Sequence, residues 1–375
     1  MQHLPFCPNP RCRLHSIATE SGWAVSAGSH HTKAFGVVPR FRCTSCGCTF
    51  SSQTFSLDYY AKRRLPYQDV LSRHRGSESL RAIGRSFGAS CATVQNRLDR
   101  LSRQAIALHA LLAPHISASE NICIDGFVSF DRSQFFPNEI TIAITSESRF
   151  VLSLSHATKR RSGSMTPCQK TKAASLYSQL HVEPRAVQRT FSDVVSQVAH
   201  LCPPRSHHPL VLVTDEKKEY YQALHRLPVW VDQDTDHRIA QITVSSQLPR
   251  TFRNPLFASN YLDREIRKDQ ANHHRESTCF TRNVANGMNR LALYLFDHNY
   301  RKRFSIKAPP RDCRTHALVA GIDPELIRTG LLHFFTLRAF RSRVDLPPLL
   351  DRIWMKQYRT PLKSSLDYLP AFAAA

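Results

Sequence analysis

Two short pairs of cysteines constrain this chain more than any other feature. Cys7 and Cys12 frame the turn-forming stretch Pro8-Asn9-Pro10-Arg11, and Cys43 and Cys46 follow later, with Gly47 and Phe50 just behind. Two such pairs can form knuckles that bring four thiolates round one tetrahedral Zn²⁺. Gly47 supplies the backbone freedom that the second knuckle needs. Cys48, His3 and His15 are alternative ligands. A site closed by four protein groups stabilises a fold and leaves no open position for chemistry, so this zinc is structural. The chain has eleven cysteines in 375 residues and no secretory pattern at its start. That combination argues for a reducing, cytoplasmic compartment rather than a disulfide framework.

The charge then selects a partner. Lys and Arg number 51 against 29 Asp and Glu, a net +22. A protein this basic spends its charge on a polyanion, because each phosphate it neutralises releases a condensed counterion. No apolar run is long enough to span a bilayer, so nucleic acid is the expected partner and a membrane is not.

Pro66 predicts a helix over Tyr67 to Arg75, with Val70 and Leu71 facing inward. Next, Leu80, Ile83 and Phe87 recur at helical spacing, Gly88 ends that helix in the left-handed conformation, and Ser90 caps another. In the last helix Val94, Leu98 and Leu101 form the buried stripe. Thr93, Gln95, Asn96, Arg97 and Arg100 are left facing outward, chemically suited to phosphates and base edges. The pattern is that of an all-α helix-turn-helix DNA reader, with an ordinary basic hairpin as the plainer alternative.

From Asn121 the period becomes strand-like. Ile122-Cys123-Ile124 runs into Asp125, and Glu139–Thr145 and Phe150–Leu154 complete an antiparallel meander. A helix is expected around Thr171 to Leu180. Pro209 to Thr214 is an apolar strand ending at Asp215, Glu216 to His225 a helix, and Val229-Trp230-Val231 a further short strand. Aspartates at the ends of two apolar strands can share a hard cation such as Mg²⁺ or Mn²⁺, which takes a few carboxylates and leaves positions for phosphate oxygens. A third acid would come from the helical segment carrying Asp263, Glu265 and Asp269. Asp263 and Glu265 point to different faces of a helix, so only one of them can join the pair. Arg267, Lys268, Arg275, Arg282 and Arg290 suit a nucleic-acid strand held beside the metals, and His273 and His274 are further phosphate-positioning candidates.

Together these residues resemble the DDE-type insertion-sequence transposases, specifically the bacterial insertion-sequence-one group. The likeness covers most of residues 5 to 305. It is carried by the four cysteines before Phe50-Ser51, the helices of residues 79 to 101, Ile124-Asp125 with Phe127 and Phe130, and Val213-Thr214-Asp215 with Tyr220. Leu262-Asp263-Arg264 and the stretch Arg275-Glu276-Ser277-Thr278-Cys279-Phe280-Thr281-Arg282-Asn283 complete it. The resemblance implies an α/β ribonuclease-H-like mixed sheet flanked by helices, binding to terminal inverted repeats, and metal-dependent strand cleavage and transfer into target DNA. It implies Asp125 and Asp215 as the first two catalytic acids. For the third, position favours Asp263, while residue chemistry and reach favour Glu265, which is preferred.

The expected organisation is multidomain: a zinc ribbon over 1–55, a helix-turn-helix over 60–115, a catalytic domain over 119–300, and a basic, partly helical segment over 301–375. The chain is expected to act as a homo-oligomer on DNA, associated with the bacterial nucleoid. The rival readings are a DNA-binding regulator, another metal-dependent DNA nuclease, and an inactive transposase remnant.

Overall fold

The computed structural model describes residues 4–17, 22–117, 119–180, 182–204, 209–231, 238–273, 280–309 and 311–374. After the short helix α1 (Arg13–Ser16), strands β1 (Ala24–Thr32), β2 (Gly36–Cys43) and β3 (Thr49–Ser51) form an antiparallel sheet in that order. β1 and β2 project as a ribbon with most side chains exposed on both faces. Between β2 and β3 the chain makes a knuckle: Gly47 adopts φ +70, its N–H donates to the Cys43 carbonyl, and the Cys43 N–H donates to that of Cys48. Phe50 and Phe55 close the small core beneath it.

Helices α2 (Tyr67–Arg75), α3 (Leu80–Ser86) and α4 (Cys91–Leu112) follow. Their limits come from local chemistry. Pro66 precedes α2, the Ser79 hydroxyl accepts from the Ala82 N–H, Gly88 takes φ +56, and the Ser90 hydroxyl accepts from Thr93. Val70, Leu71, Ile83, Val94, Leu98 and Leu101 are all buried, as their spacing requires. With 22 residues, α4 is about 33 Å long. It runs past its neighbours α2 and α3 into the centre of the molecule.

There it meets a mixed five-stranded sheet of β4 (Ile122–Phe130), β5 (Pro137–Thr145), β6 (Val151–Thr158), β7 (Leu210–Asp215) and β8 (Ile239–Val244). The strand order is β6-β5-β4-β7-β8. The β4–β5–β6 meander is antiparallel, while β7 and β8 run parallel to β4. Before β7 come α5 (Pro167–Ser178), opened by a Thr166/Gln169 capping box, and α6 (Ala186–Leu201). After β7 come α7 (Lys218–Leu224) and α8 (Pro228–Val231). The strand expected at Val229-Trp230-Val231 is instead this helical turn, because Pro228 pre-sets its first residue. The parallel edge strand is β8.

Further on, α9 (Phe257–Asp269) and α10 (Val284–Tyr300) cover one face of the sheet. Cys123, Phe127 and Val213 pack there with Leu262, Ile266 and Leu291. On the opposite face Ile122, Ile124 and Leu212 pack with Phe191, Val194 and Tyr220 from α6 and α7. Among the described residues, no helix is long and apolar enough to cross a membrane.

Residues past α10 are woven into everything before them. They contain α11 (His316–Val319), α12 (Pro324–Leu331), α13 (Pro348–Trp354) and α14 (Ala371–Ala374). Phe340 packs with Phe6 and Phe55 beside the cysteines. The Ala339 N–H donates to the Gln104 side chain on α4. The Lys356 ammonium is buried 2.5 Å from Asp99 Oδ2. The segment expected as a C-terminal tail is therefore a strap that ties the cysteine unit to α4, α10 and β6.

Candidate functional site

The four cysteine sulfurs of Cys7, Cys12, Cys43 and Cys46 all lie within 4.8 Å of one another. Cys7 and Cys46 are 3.7 Å apart and Cys12 and Cys43 3.9 Å. Four thiolates at about 2.3 Å from a tetrahedral zinc stand about 3.8 Å from each other, so these residues fit Zn²⁺. Three of the four are buried and Cys46 is exposed. Although desolvation opposes ionisation, the backbone of Cys48 and the Asn9 amide draw the Cys46 thiol down to about 7. The alternative ligands are engaged elsewhere. Cys48 donates to the Thr49 carbonyl, and His15 bonds the Cys7 carbonyl and the Ser342 hydroxyl. His3 lies outside the described residues.

The second site opens where β4 and β7 part. Their ladder pairs Ile122 with Leu212 and Cys123 with Val213, then ends. Continuing that register sets Asp125 level with Asp215, the last residue of β7, on the same face as Cys123 and Val213. The Lys217 Nζ lies between them, 3.7 Å from Asp125 Oδ1 and 3.5 Å from Asp215 Oδ2. Partial burial raises the Asp215 carboxyl above its ordinary range, and the charge of Asp125 adds to this against the opposing pull of Lys217.

A third carboxylate borders the pair from the other side. Glu139, near the start of β5 and 1 % exposed, is 2.7 Å from Lys159 Nζ, 3.0 Å from the Tyr220 hydroxyl and 3.5 Å from Lys217 Nζ. Burial pushes its carboxyl up, but the two lysines outweigh that and hold it below the usual range. Gly126 makes this possible. A Cβ there would sit 2.5 Å from Glu139 Oε1. The sequence marks Glu139 only as the first acid of a strand; nothing in its spacing reveals the lysines that meet it.

Helix α9 crosses the same face as Asp125. At its start Cys123 Sγ donates to the Pro255 carbonyl and meets the Ser259 backbone. Toward its end Arg267 donates to the Val128 carbonyl, with its guanidinium 4.6 Å from the Phe127 ring centre. The helix therefore advances with β4. Asp263, one turn after Ser259 and one before Arg267, shares their face of the helix by its spacing. Glu265 does not. Its carboxylate is bound by Lys268 at 2.8 Å and by Lys302 at the end of α10. Helical phase therefore favours Asp263 over Glu265 as the residue facing the sheet. Reach matters less than helical phase, and two residues turn the side chain about 200° away.

The nucleic-acid contacts expected on α4 need a larger correction. Gln95, Arg97 and Arg100 are buried, at 8 %, 3 % and 5 % exposure. Gln95 bonds Asp99 and accepts from Arg290 of α10, Arg97 donates to the Arg63 carbonyl, and Arg100 donates to that of Leu57. These side chains hold the fold together; only Thr93 and Asn96 keep partial exposure. Arg267 is half-buried against Phe127, and His273 is buried against Ser129, so neither is a free phosphate contact. Lys268 is exposed but paired with Glu265 and Asp269. His274 and Arg275 lie outside the described residues.

The exposed cations are elsewhere. Lys33, Arg40 and Arg42 are on the β1–β2 ribbon, Lys62, Arg63 and Arg64 precede α2, and Arg81 and Arg85 are on α3. Beside the acids, a cavity of about 690 Å³ is lined by Phe130, Glu139, Lys159, Arg160, Arg161 and Lys217 among others. Compared with known proteins, the chain matches no protein-family model and no curated protein sequence.

Proposed function

We propose that this protein is a DNA transposase: a ribonuclease-H-like catalytic unit joined to a zinc ribbon and a helix-turn-helix, which binds the ends of a mobile element and cuts and rejoins DNA there. The observation that carries this reading is the placement of Asp125 and Asp215 side by side at the parting of two parallel strands, with Asp263 on the helix that crosses them. A carboxylate set of this kind suits Mg²⁺ or Mn²⁺. When bound, the metal would activate a hydroxyl and stabilise a leaving oxygen at phosphorus.

The chain's own groups do the rest. Asp125, Asp215 and Asp263 would hold the ion's position, and burial raises the proton affinity of Asp215. Lys159, Arg160 and Arg161 line the adjoining cavity and would bind the phosphates of a strand led to the acids. Recognition of element ends falls to the exposed cations of the β1–β2 ribbon, of residues 62–64 and of α3, together with Thr93 and Asn96. A two-stranded ribbon fits the major groove as an α-helix does. The reaction joins two ends, so a second copy of the chain is the expected partner on DNA.

The test is nicking of an end-containing duplex with Mg²⁺ or Mn²⁺. Asp125→Asn and Asp215→Asn should each lower the rate by about a hundredfold to a thousandfold, the range for losing one electrostatic stabiliser of a transition state, with DNA affinity kept. A wild-type protein that binds DNA but never cuts it would instead establish a regulator.

A further inference from the structure

Lys217 stands between Asp125 and Asp215, the carboxylates that would hold a divalent ion. Its ammonium is 3.7 Å from the first carboxylate, 3.5 Å from the second and 3.5 Å from Glu139 Oε1. All three distances exceed the roughly 2.8 Å of a closed charge-assisted hydrogen bond. The group stands among three anions, and of these only Glu139 receives a hydrogen bond from it, a long one.

Its tether explains why it stays there. Residue 217 lies just past the end of β7, its own N–H donates to Asp215 Oδ1, and its ammonium contacts the Tyr220 hydroxyl at 3.1 Å. Tyr220 is fully buried and stacked on Phe191, so this anchor is rigid. Glu139 is equally fixed, by Lys159 on one oxygen and Tyr220 on the other.

We propose that Lys217 is the resident counter-cation of the Asp125/Asp215 pair, a built-in competitor that a divalent ion displaces toward Glu139. This rests on the metal-site reading above and adds to it a determinant of metal affinity. Without metal, two adjacent carboxylates beside a buried third would repel one another, and the ammonium offsets that repulsion. When a divalent ion enters, ammonium and metal repel each other in turn. Glu139 then takes the lysine, because its Oε1 lies close enough for a short swing of the Lys217 stem to close the contact. Glu139 is thus a positioning residue: it touches no reacting atom and acts by receiving Lys217.

The experiment titrates Mn²⁺ into full-length, zinc-loaded protein by calorimetry, and reads the metal-free melting temperature alongside. Lys217→Met should bind Mn²⁺ at least about tenfold more tightly, as expected for removing a like charge some 4 Å away, and should melt lower than wild type when metal-free. Lys218→Met removes the same charge from the next residue, which is exposed, and should stay within about threefold of wild type. Glu139→Gln takes away the receiving group and should weaken Mn²⁺ binding.

Mn²⁺ affinity in Lys217→Met equal to or below wild type would overturn the proposal, as would an equal gain in Lys218→Met. If Lys217→Met does not fold, unchanged affinity in Glu139→Gln overturns it alone. A failure of the underlying reading looks different: wild type and Asp125→Asn then give the same Mn²⁺ isotherm, and the metal site and this inference fall together.

Discussion

The cysteine cluster and the acid cleft are both built to gather like charges, and they do so in opposite ways. The cysteines come from two local knuckles whose backbone hydrogen bonds shape them, and their sulfurs already stand at the spacing of a tetrahedral ion. Asp125 and Asp215 come from two strands far apart in the chain, and the gap between them holds an ammonium. A site meant to be filled once can be closed and preformed. A site that admits and releases ions, as proposed for the acids, would keep a removable charge in place.

The largest effect that could break this contrast is at the cysteines. Cys43→Ser, or chelation of the metal, should unfold residues 1–55, because structural zinc supplies about 10 kcal/mol or more of folding free energy. Trp23, stacked on Phe50 in this unit, would report the loss by fluorescence. An unchanged Trp23 signal after chelation would mean that the cluster carries no structural ion.

Acid should strike the other region next. His74, His109, His273, His298 and His316 are buried in and around the α/β body, and burial holds them neutral: His74 and His273 at about 3, His109 and His316 at about 4, and His298 well below its ordinary value. Unfolded, each takes a proton below about 6.5, so between there and about pH 4 the unfolded chain binds more protons than the folded one. Stability falls as pH is lowered through this window, by about 1 kcal/mol per pH unit for each fully titrating histidine. Urea midpoints measured from pH 7 to 4.5 should decline steeply; a flat profile would refute the neutral burial of these rings.

The smallest effects sharpen the comparison at two glycines. Gly126→Ala places a methyl group against the pinned Glu139 and should cost about 1–3 kcal/mol in thermal unfolding. Gly47→Ala meets no atom within 4 Å and suffers only its φ of +70, so about 1 kcal/mol is expected. The acid cleft needs room at its glycine, whereas the knuckle needs only a dihedral angle.

How far the sequence could be read followed from the range of the forces involved. Helix α2 appears at Tyr67–Arg75 because Pro66 acts on its neighbours, and the caps at Ser79, Gly88 and Ser90 are equally local. Asp215 was legible as the acid that ends an apolar strand, whereas Asp125, expected at a strand end too, lies inside β4, whose antiparallel pairing with β5 carries it on to Phe130. What the sequence hid was pairing over distance. Gln95, Arg97 and Arg100 looked like an outward face because no periodicity shows Arg290, Leu57 or Arg63 waiting to satisfy them. Helix α6 also went unexpected, though Phe191, Val194, Val195 and Val198 form its buried stripe. Glu139 and Lys217 were hidden for the same reason as the α4 side chains: a charged residue buried among partners resembles a solvated one until the partners are placed.

The returning strap decides when the protein can mature. The zinc knuckles can collect their thiolates soon after synthesis begins, but Phe340 reaches the aromatic cluster of Phe6 and Phe55 only when most of the chain exists. Asp99 likewise waits for Lys356. Contacts of such sequence separation form late and slowly. The cysteine cluster can therefore assemble before the core is sealed, and final consolidation waits for the end of the chain.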